Sequence, residues 1–490
     1  MEVRTLPQML AIVAKRSTAQ TAVVDAGTSV SYEALAMKIG RFSAQLQNQG
    51  IGKGHRVALL FPNGIDFIVA FLSIVSLGAI AVPLNHHYQQ NEISYAINTC
   101  GVSLVVTSHK FVSSWEQSPL LRATGCKPFL IDDQAKPLTS VSVLGVDIDP
   151  NSPVLYQFSS GSTGSPKRIG RTHANLLFEI DSLIRTLKVT SQDRFLGLPP
   201  FSHVNGLMRS MMLSLAAGAT LYPVDKFEPH GVAEAIEKHA ISVLIGVPFM
   251  FSMMARARGP RRFDLSSLRL CVSASAPLSR SLNQQFRDTF GFYVRQLYGS
   301  TETGTISVNL SPDIETSLES VGEPMLGVQV EIFGEHSRMV QAGEIGEVGV
   351  KSPAAIRSYE GSGEPHESCF RGGFFLTGDV GWRDARGLLY LVGRKKLFIN
   401  KGGYKINPRE IEELIESHPK VEEAVVLGVP TSYGDEKVKA VLVLKESCTE
   451  DEIIEHCRTR IAAFKIPTVI EFVDSLPKSA TGKVRRAALT

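Results

Sequence analysis

The sequence lacks an excess of charge of either sign, which narrows the classes of partner that it is expected to bind. Its 51 lysine and arginine residues are offset by 48 aspartate and glutamate residues, leaving a formal net charge of +3 over 490 residues. A dedicated nucleic-acid-binding protein carries a concentrated basic surface instead. The local lysine and arginine clusters fall inside motifs described below. We therefore expect no nucleic acid among the partners of this chain.

Cysteine is scarce, and the cysteines present form neither CxxC pairs nor the Cys/His spacing of a zinc site. They are Cys100, Cys126, Cys271, Cys369, Cys448 and Cys457. This scatter argues against a disulfide framework and a structural zinc ion, and it suits a reducing compartment. Residues 1–4 lack the apolar core of a secretory signal. We therefore expect a cytoplasmic protein.

Long hydrophobic runs are also missing. The longest one, residues 67–82, contains Ser73, Ser76 and Gly78 and stops at Pro83. A helix that crosses a bilayer needs about 20 predominantly apolar residues. We interpret this run as a buried helix and predict no transmembrane segment.

The length of the chain exceeds what one hydrophobic core usually supports, so we expect at least two domains. Helix-period segments alternate with short β-branched runs, such as the predicted strands at residues 56–60 and 103–107 on either side of a helix at 67–77. This alternation predicts layered α/β sheets. After about residue 315, short strands separated by glycine predict an antiparallel or barrel-like subdomain.

A second boundary is predicted near residue 394. Asn407 and Pro408 form a clear helix start signal, and further strands and a helix follow. We therefore predict a large N-terminal domain over residues 1–393, with the barrel-like part at about 315–393. A small α+β domain is predicted over residues 394–490.

A loop rich in small residues is predicted to bind phosphate. Residues 156–167 read YQFSSGSTGSPK, in which glycines allow close approach of backbone N–H groups, hydroxyls add donors and Lys167 adds charge. The P-loop of nucleoside triphosphatases is excluded, because its GxxxxGK[ST] spacing is absent and Lys167 follows a proline. The predicted phosphate-binding residues are Ser159, Ser160, Gly161, Ser162, Thr163, Gly164 and Lys167.

Together with three further motifs, this loop resembles the adenylate-forming superfamily of acyl-CoA synthetases, peptide-synthetase adenylation domains and firefly luciferase. Residues 296–303 (QLYGSTET) resemble the second core motif of this superfamily. Residues 376–379 (LTGD) together with residues 393–394 resemble its ribose-binding pair. Residues 477–483 (PKSATGK) resemble its C-terminal catalytic loop. The resemblance covers essentially the whole chain. It implies that ATP activates a carboxylic acid as acyl-AMP, with release of pyrophosphate, before the acyl group passes to a thiol.

This reaction brings a carboxylate against the α-phosphate, so catalysis depends on positioning and on neutralising charge. The family pattern implies that Lys483, and not Lys478, bridges these two groups. Thr301 is suited to donate to the α-phosphate and Glu302 to hold Mg²⁺.

The same resemblance implies the nucleotide contacts. Tyr298 offers a flat face to adenine, and Asp379 can accept both ribose hydroxyls. Arg394 is expected to reach the same ribose. The other predicted contacts are Ser275, Ala276, Pro277, Gly299 and Ser300.

Rotation of the C-terminal domain is also implied, between an adenylating pose and a thioester-forming pose. The hinge falls at Lys396. The turn that contains Gly402 and Gly403 would then line the thiol channel.

Residues 199–208 (PPFSHVNGLM) bear on the acid. They contain no Asp to pair with an amino group, which disfavours an amino acid substrate, and they resemble the PxFHxxGL stretch of acyl- and aryl-CoA ligases. His203 is expected where the acyl pocket meets the thiol channel, with a buried core histidine as the alternative. The predicted acyl-pocket residues are His203, Asn205, Gly206, Arg209, Gly246 and Ser273.

Arg209 is unusual, because an arginine in an apolar helix needs a partner. Two interpretations are open at this point: it pairs with a structural carboxylate, or it faces the pocket and binds a polar or anionic tail of the acid.

Coenzyme A is the predicted acceptor, because the insertion found near the hinge of fatty-acyl-AMP ligases is not evident at this chain length. The phosphopantetheine of an acyl carrier protein is the alternative, and a luciferase-like monooxygenase is a more distant one, since it shares every motif. A monomer or homodimer is expected.

Overall fold

The computed structural model describes residues 3–131, 147–158, 167–257, 263–334, 338–357, 369–401, 404–431, 436–479 and 482–489. Helices and strands alternate through most of its length. The α-helices are α1 Leu6–Arg16, α2 Tyr32–Asn48, α3 Ile65–Ser76, α4 Gln90–Cys100, α5 His109–Gln117, α6 Pro119–Arg122, α7 His173–Leu187, α8 Leu213–Ala217, α9 Pro229–His239, α10 Pro248–Arg256, α11 Arg280–Phe290, α12 Pro408–Glu416 and α13 Glu450–Arg458. A π-helix, Asn205–Met212, runs directly into α8.

The strands fall into two large sheets, one small sheet and a hairpin. They are β1 Thr21–Asp25, β2 Thr28–Ser31, β3 Arg56–Leu60, β4 Ile80–Leu84, β5 Leu104–Thr107, β6 Pro128–Leu130, β7 Pro153–Phe158, β8 Arg168–Thr172, β9 Arg194–Gly197, β10 Thr220–Pro223, β11 Val243–Gly246, β12 Leu270–Ser273, β13 Arg295–Ser300, β14 Gly304–Val308, β15 Ser320–Pro324, β16 Gln329–Phe333, β17 Gly346–Lys351, β18 Phe370–Arg371, β19 Phe374–Arg383, β20 Leu389–Arg394, β21 Ile399–Lys401, β22 Tyr404–Ile406, β23 Val421–Pro430, β24 Glu436–Leu444 and β25 Val469–Phe472.

The first sheet has the order β6-β5-β3-β4-β7-β8 and is parallel except for the antiparallel pair β7–β8. Helix α3 is apolar all round and almost wholly buried, as expected of a helix enclosed by protein on every side. It covers residues 67–76 of the long apolar run in the sequence. The prediction of a helix over the whole run is wrong at its end, because residues 80–82 belong to strand β4. Within the described residues, none of the helices combines the length and apolar character needed to cross a membrane.

The second sheet is parallel from β1 through β10, β9, β11 and β12 to β13, and antiparallel from there on. The prediction of short antiparallel strands after residue 315 agrees with the pairs β14–β15, β15–β20, β19–β20, β17–β19 and β16–β17. These strands extend the parallel sheet across β13–β14. Among the described strands the path ends at β16, and no pairing there closes a barrel.

The small C-terminal part contains the sheet β23-β24-β25 with α12 and α13. Helix α12 begins as the sequence predicts, because the side chain of Asn407 accepts a hydrogen bond from the backbone N–H of Arg409 and Pro408 is the first helical residue. The amide of Asn407 also donates to the carbonyl of Val392 at 3.0 Å. This contact ties α12 to the end of β20, next to the predicted hinge.

A buried histidine makes the stability of the N-terminal part depend on pH. His173 is 1% exposed, and its Nδ1 accepts a hydrogen bond from the backbone N–H of Leu6 at 3.3 Å. Burial lowers the pKa of His173 from 6.5 to about 4, and the charge of Asp149 opposes this only weakly. Between these two pKa values the unfolded chain binds more protons than the folded protein, so folding stability increases with pH.

We therefore expect the contribution of neutral His173 to be complete above pH 6.5 and to be lost as the pH falls toward 4, by on the order of 3 kcal/mol. His173→Asn keeps an acceptor near Nδ1 but does not titrate. Denaturant unfolding at several pH values between 7.5 and 4.5 should show a shallower loss of stability for this variant than for the wild type. Equal slopes for the two proteins would contradict the assignment.

Candidate active site

Three residues predicted to contact the nucleotide meet at the junction of the parallel and antiparallel strands. Asp379 on β19 and Arg394 on β20 are register partners, and Arg394 Nε donates to Asp379 Oδ1 at 2.8 Å. The hydroxyl of Tyr298 on β13 donates to Asp379 Oδ2 at 2.5 Å. A carboxylate has about four lone-pair sites, so these two bonds orient Asp379 and leave it able to accept from two ribose hydroxyls.

The protonation states in this group follow from burial and from the shared carboxylate. Burial, and then the charge of Asp379, raise the pKa of Tyr298 well above its usual value, which keeps the phenol a donor. Burial alone would lower the pKa of Arg394, but the charge and hydrogen bond of Asp379, together with the charges of Tyr298 and Glu302, raise that pKa. Tyr298 and Arg394 therefore keep their roles as donors to Asp379 at neutral pH.

The turn between β13 and β14 carries Thr301 and Glu302, both half-buried. The turn is held by Ser300 Oγ, which lies 2.9 Å from Thr303 Oγ1 and accepts from the Thr303 N–H at 3.1 Å. The backbone carbonyl of Glu302 accepts from Ile356 N at 2.9 Å. Thr301 and Glu302 thus lie on a braced turn beside Tyr298, Asp379 and Arg394.

A single carboxylate at this turn fits the way Mg²⁺ is usually bound to nucleotides. This ion keeps several waters and takes one or two protein carboxylates, with substrate phosphates completing its shell. Among the described residues no group of three or more His, Cys, Asp or Glu side chains could hold a metal by itself. Glu302 can supply the protein carboxylate of a Mg²⁺ site whose other ligands are waters and the phosphates of the nucleotide.

The C-terminal loop forms a tight turn that leads into Lys483. Ser479 N donates to the carbonyl of Lys483 at 2.7 Å, and Gly482 N donates to the carbonyl of Ser479 at 2.9 Å. Gly482 has a φ of +77°, a conformation that L side chains rarely adopt, so glycine suits this tight turn. Residues 480 and 481 lie outside the described residues.

The charged groups that act on the Lys483 amine make this residue a catalytic candidate. Lys483 keeps contact with solvent, but the protein crowded around its amine lowers its pKa, and the charge of Arg394 lowers it further. The carboxylates of Asp379 and Glu302 oppose this effect. Because the charges of Arg394, Asp379 and Glu302 all act on this amine, we expect it to reach the region where a nucleotide phosphate would lie.

Lys478 has a different environment. Its Nζ lies 2.7 Å from Glu423 in an ion pair and 5.1 Å from the ring centroid of Phe249. This lysine is therefore engaged by side chains of both parts of the chain, and the choice of Lys483 over Lys478 as the acting residue stays a prediction.

His203 lies half-buried beside a cavity, and its tautomer can be derived. Asn85 Oδ1 accepts from the backbone N–H of His87 at 2.9 Å, which fixes the orientation of that amide. Asn85 Nδ2 then faces His203 Nε2 at 3.2 Å, so Nε2 accepts and the proton sits on Nδ1. Burial and, to a lesser extent, the charge of Lys483 lower the pKa of His203 to about 4. The ring is neutral at pH 7.

The cavity has a volume of about 270 Å³ and lies between the N-terminal part and the C-terminal loop. Most of its walls are apolar, with a few polar side chains. The lining residues are Pro199, Pro200, His203, Asn205, Phe227, Val247, Phe249, Met250, Ser275, Lys478, Ser479 and Gly482. Ser275 adopts a left-handed backbone conformation, with a φ of 74°, and such outliers tend to occur at functional sites.

The predicted acyl-pocket residues divide between the cavity and the layer behind it. His203 and Asn205 line the cavity. Gly206 packs against the backbone carbonyls of Pro199 and Pro200. The residues of this set that do not belong to the lining are Gly206, Arg209, Gly246 and Ser273.

Arg209 takes part in a buried network that the sequence does not indicate. Its Nε donates to Thr305 Oγ1 at 3.0 Å, and this hydroxyl donates to Glu179 Oε1 at 2.8 Å. Glu179 Oε2 forms an ion pair with Arg171 Nη1 at 2.7 Å. Among the residues that the structure describes, Arg209 thus reaches a carboxylate only through Thr305, and the directly paired arginine is Arg171.

The remaining predicted residues are placed as follows. Lys396 is exposed in the 3₁₀ turn Lys395–Leu397 that links β20 to β21. Lys167 is exposed at the start of β8, while Ala276 is half-buried and Pro277 is exposed. The predicted residues that lie outside the described residues are Ser159, Ser160, Gly161, Ser162, Thr163, Gly164, Gly402 and Gly403.

The sequence of this chain matches the models of two known protein families. The model of the AMP-binding enzyme family matches residues 10–360, and that of the AMP-binding enzyme C-terminal domain matches residues 410–483. The chain is 29% identical to a long-chain-fatty-acid–CoA ligase of Bacillus subtilis (strain 168), over 99% of this chain and 94% of the relative. It is 30% identical to an oxalate–CoA ligase of Arabidopsis thaliana, over 99% and 98%.

A solved structure resembles the whole chain. ATP-bound MatB from Rhodopseudomonas palustris has a TM-score of 0.88 at 27% identity, covering 99% of this chain and 98% of that one. The apo form of the same protein covers equal shares but has a TM-score of only 0.75, at 26% identity. The arrangement seen here is therefore closer to the ATP-bound form.

Proposed function

Because the chain belongs to the AMP-binding enzyme family, we propose that it activates a carboxylic acid with ATP and transfers the acyl group to the thiol of coenzyme A. The predicted class, an AMP-forming acid–thiol ligase, is confirmed by its relatives. The observation that carries the specific proposal is the unit formed by Tyr298, Asp379 and Arg394, since the charges of Asp379 and Arg394 act on the Lys483 amine. Gly482, the residue before Lys483, lines the mostly apolar cavity.

In the first half-reaction, attack of the acid carboxylate on the α-phosphate forms acyl-AMP and releases pyrophosphate. Asp379 and Arg394 hold the ribose, and Thr301 donates to the α-phosphate. Lys483 places its ammonium between carboxylate and phosphate and neutralises the charge that develops there. When bound, Mg²⁺ on Glu302 would add charge stabilisation at the phosphates.

In the second half-reaction the thiol attacks the acyl carbonyl and AMP leaves. The present arrangement is closer to the ATP-bound form of its neighbour, and the charges of Asp379 and Glu302 act on the Lys483 amine; both observations support assigning it to adenylation. Rotation about Lys396 would withdraw Lys483 and open a route for the thiol. Neutral His203, on the cavity wall, would lie near the thiol and the acyl group.

Coenzyme A is the proposed acceptor, because the full-length relatives act as CoA ligases by name. Those names range from oxalate to long-chain fatty acids, so similarity near 30% does not identify the acid. The cavity gives a better indication. Its volume of about 270 Å³ lies below the range of roughly 300–1,000 Å³ common for ligand pockets, which favours a small acid.

The proposal is tested by measuring pyrophosphate release across aliphatic, aromatic and dicarboxylic acids, with and without coenzyme A. We expect release that depends on the acid, with thioester formed only when coenzyme A is added. Acyl transfer to a phosphopantetheinylated carrier protein but not to coenzyme A would favour the carrier-loading alternative. No release of pyrophosphate with any class of acid would exclude the proposed function.

A further inference from the structure

The cavity contains one deeply buried polar side chain, Asn205. This residue is 2% exposed and is the only buried polar residue among those that line the described cavity. Its Oδ1 accepts a long hydrogen bond, 3.5 Å, from Arg209 Nη1. Its Nδ2 has no hydrogen-bond acceptor among the described residues. A buried donor of this kind is destabilising if it stays unpaired.

The orientation of the Asn205 amide is determined by Arg209. Amide oxygen and nitrogen are usually assigned from their partners. The opposite orientation would place two donors, Nδ2 and the guanidinium, against each other. Oδ1 therefore points toward Arg209, and the donor Nδ2 is left for another partner. Asn205 and Arg209 both belong to the π-helix Asn205–Met212, a rare conformation that is frequent at functional sites.

The surroundings of Arg209 favour a negative partner. The network holds two guanidinium groups, on Arg171 and Arg209, but only one carboxylate, on Glu179. Burial lowers the pKa of Arg209 to about 10, with Glu179 opposing this effect, so the group is still charged at neutral pH. Among the described residues, Arg209 Nη2 also lacks an acceptor. It lies close to Gly299, where an added Cβ would come within 2.4 Å of it.

These observations describe a recognition site for an oxygen atom. Resting on the proposed function, we propose that Asn205 Nδ2, positioned by Arg209, binds an acceptor oxygen of the acid other than those of its reacting carboxylate. The ligand class is a small carboxylic acid with an apolar body and a second carboxylate, since the net positive charge behind Asn205 favours an anionic oxygen over a neutral one. The apolar walls formed by Phe227, Val247 and Met250 would contact the body of this acid.

Matched pairs of acids test the inference on the wild-type enzyme. The pairs are butanoate with succinate, hexanoate with adipate, and benzoate with terephthalate, compared by kcat/KM for pyrophosphate release. We expect the dicarboxylate to be preferred by about tenfold or more in at least one pair, because the analogue without the second carboxylate leaves Asn205 unpaired. A preference for the monocarboxylate in every active pair, or equal rates, would overturn the inference but leave the proposed function intact.

Variants separate direct contact from a structural role. Asn205→Asp keeps the size but replaces the donor with an anion, so the preference for dicarboxylates should be lost or reversed. Arg209→Leu should reduce the preference by raising KM for the dicarboxylate, and Arg209→Lys should restore part of it. Leu213→Met, a volume-conserving change in the adjoining helix, is the control and should preserve the rank order of the acids.

A purely structural role for Arg209 gives a different result. Arg209→Leu would then lower the melting temperature and kcat for all acids alike, without changing their order. That outcome, together with an unchanged order in Asn205→Asp, would contradict the inference. If Arg209→Leu does not fold, the wild-type panel and Asn205→Asp still decide.

Discussion

Lys483→Ala is expected to slow acyl-AMP formation by on the order of a hundredfold or more, equivalent to about 3 kcal/mol or above in activation free energy. The amine of Lys483 senses Asp379, Glu302 and Arg394, which places it at the nucleotide end of the site. Without this ammonium group, no positive point charge offsets the repulsion between the acid carboxylate and the α-phosphate as they approach each other. Given preformed acyl-AMP and coenzyme A, the same variant should still form thioester, because Lys483 belongs to the other pose.

The two half-reactions are measured separately, by pyrophosphate release and by thioester formation from synthetic acyl-AMP. Lys478→Ala is the matched control in the same loop. Lys478 pairs with Glu423 and also lines the cavity, so its loss should affect stability, domain contact or KM for the acid more than the chemical step of adenylation. An equal fall of both half-reactions in Lys483→Ala would count against the two-pose mechanism. So would a loss of adenylation in Lys478→Ala as large as that in Lys483→Ala.

The family and the start of α12 could be predicted because their signals are local. Four short motifs in order identified the family, and the family models confirm it. Asn407 and Pro408 mark the beginning of α12 through side-chain capping and a fixed φ, both of which act within one helical turn. The Gly-punctuated strands after residue 315 likewise indicated antiparallel pairing.

Contacts between distant segments could not be predicted. Arg209 is 96 residues from Thr305, and Thr305 is 126 residues from Glu179. No local pattern indicates that these side chains meet, and an arginine in an apolar helix shows only that some partner must exist. The same limit applies to Asn85, which lies 118 residues before His203 and sets its tautomer. Among the described strands, the second sheet does not close into a barrel. Closure depends on which strands pair, and short strands separated by glycine do not determine that pairing.

The second large effect is expected at the predicted hinge. Lys396 lies in the 3₁₀ turn Lys395–Leu397, between β20 and the C-terminal part. Residues in such turns have φ near −50° to −70°, which overlaps with the value of about −65° that proline imposes. Lys396→Pro should therefore retain the present arrangement while preventing the backbone rotation that leads to the other pose. We expect adenylation to change less than about threefold and thioester formation to fall about a hundredfold.

Lys396→Ala is the control, because it removes the same exposed side chain but leaves φ free to change. Both half-reactions should stay close to wild type in this variant. Intact pyrophosphate release in Lys396→Pro shows that the protein folds and that the adenylating pose forms, so a loss confined to thioester formation reports on rotation. If Lys396→Pro forms thioester from acyl-AMP as fast as Lys396→Ala, the hinge does not lie at this residue. If it loses adenylation first, the arrangement described here is not the adenylating pose.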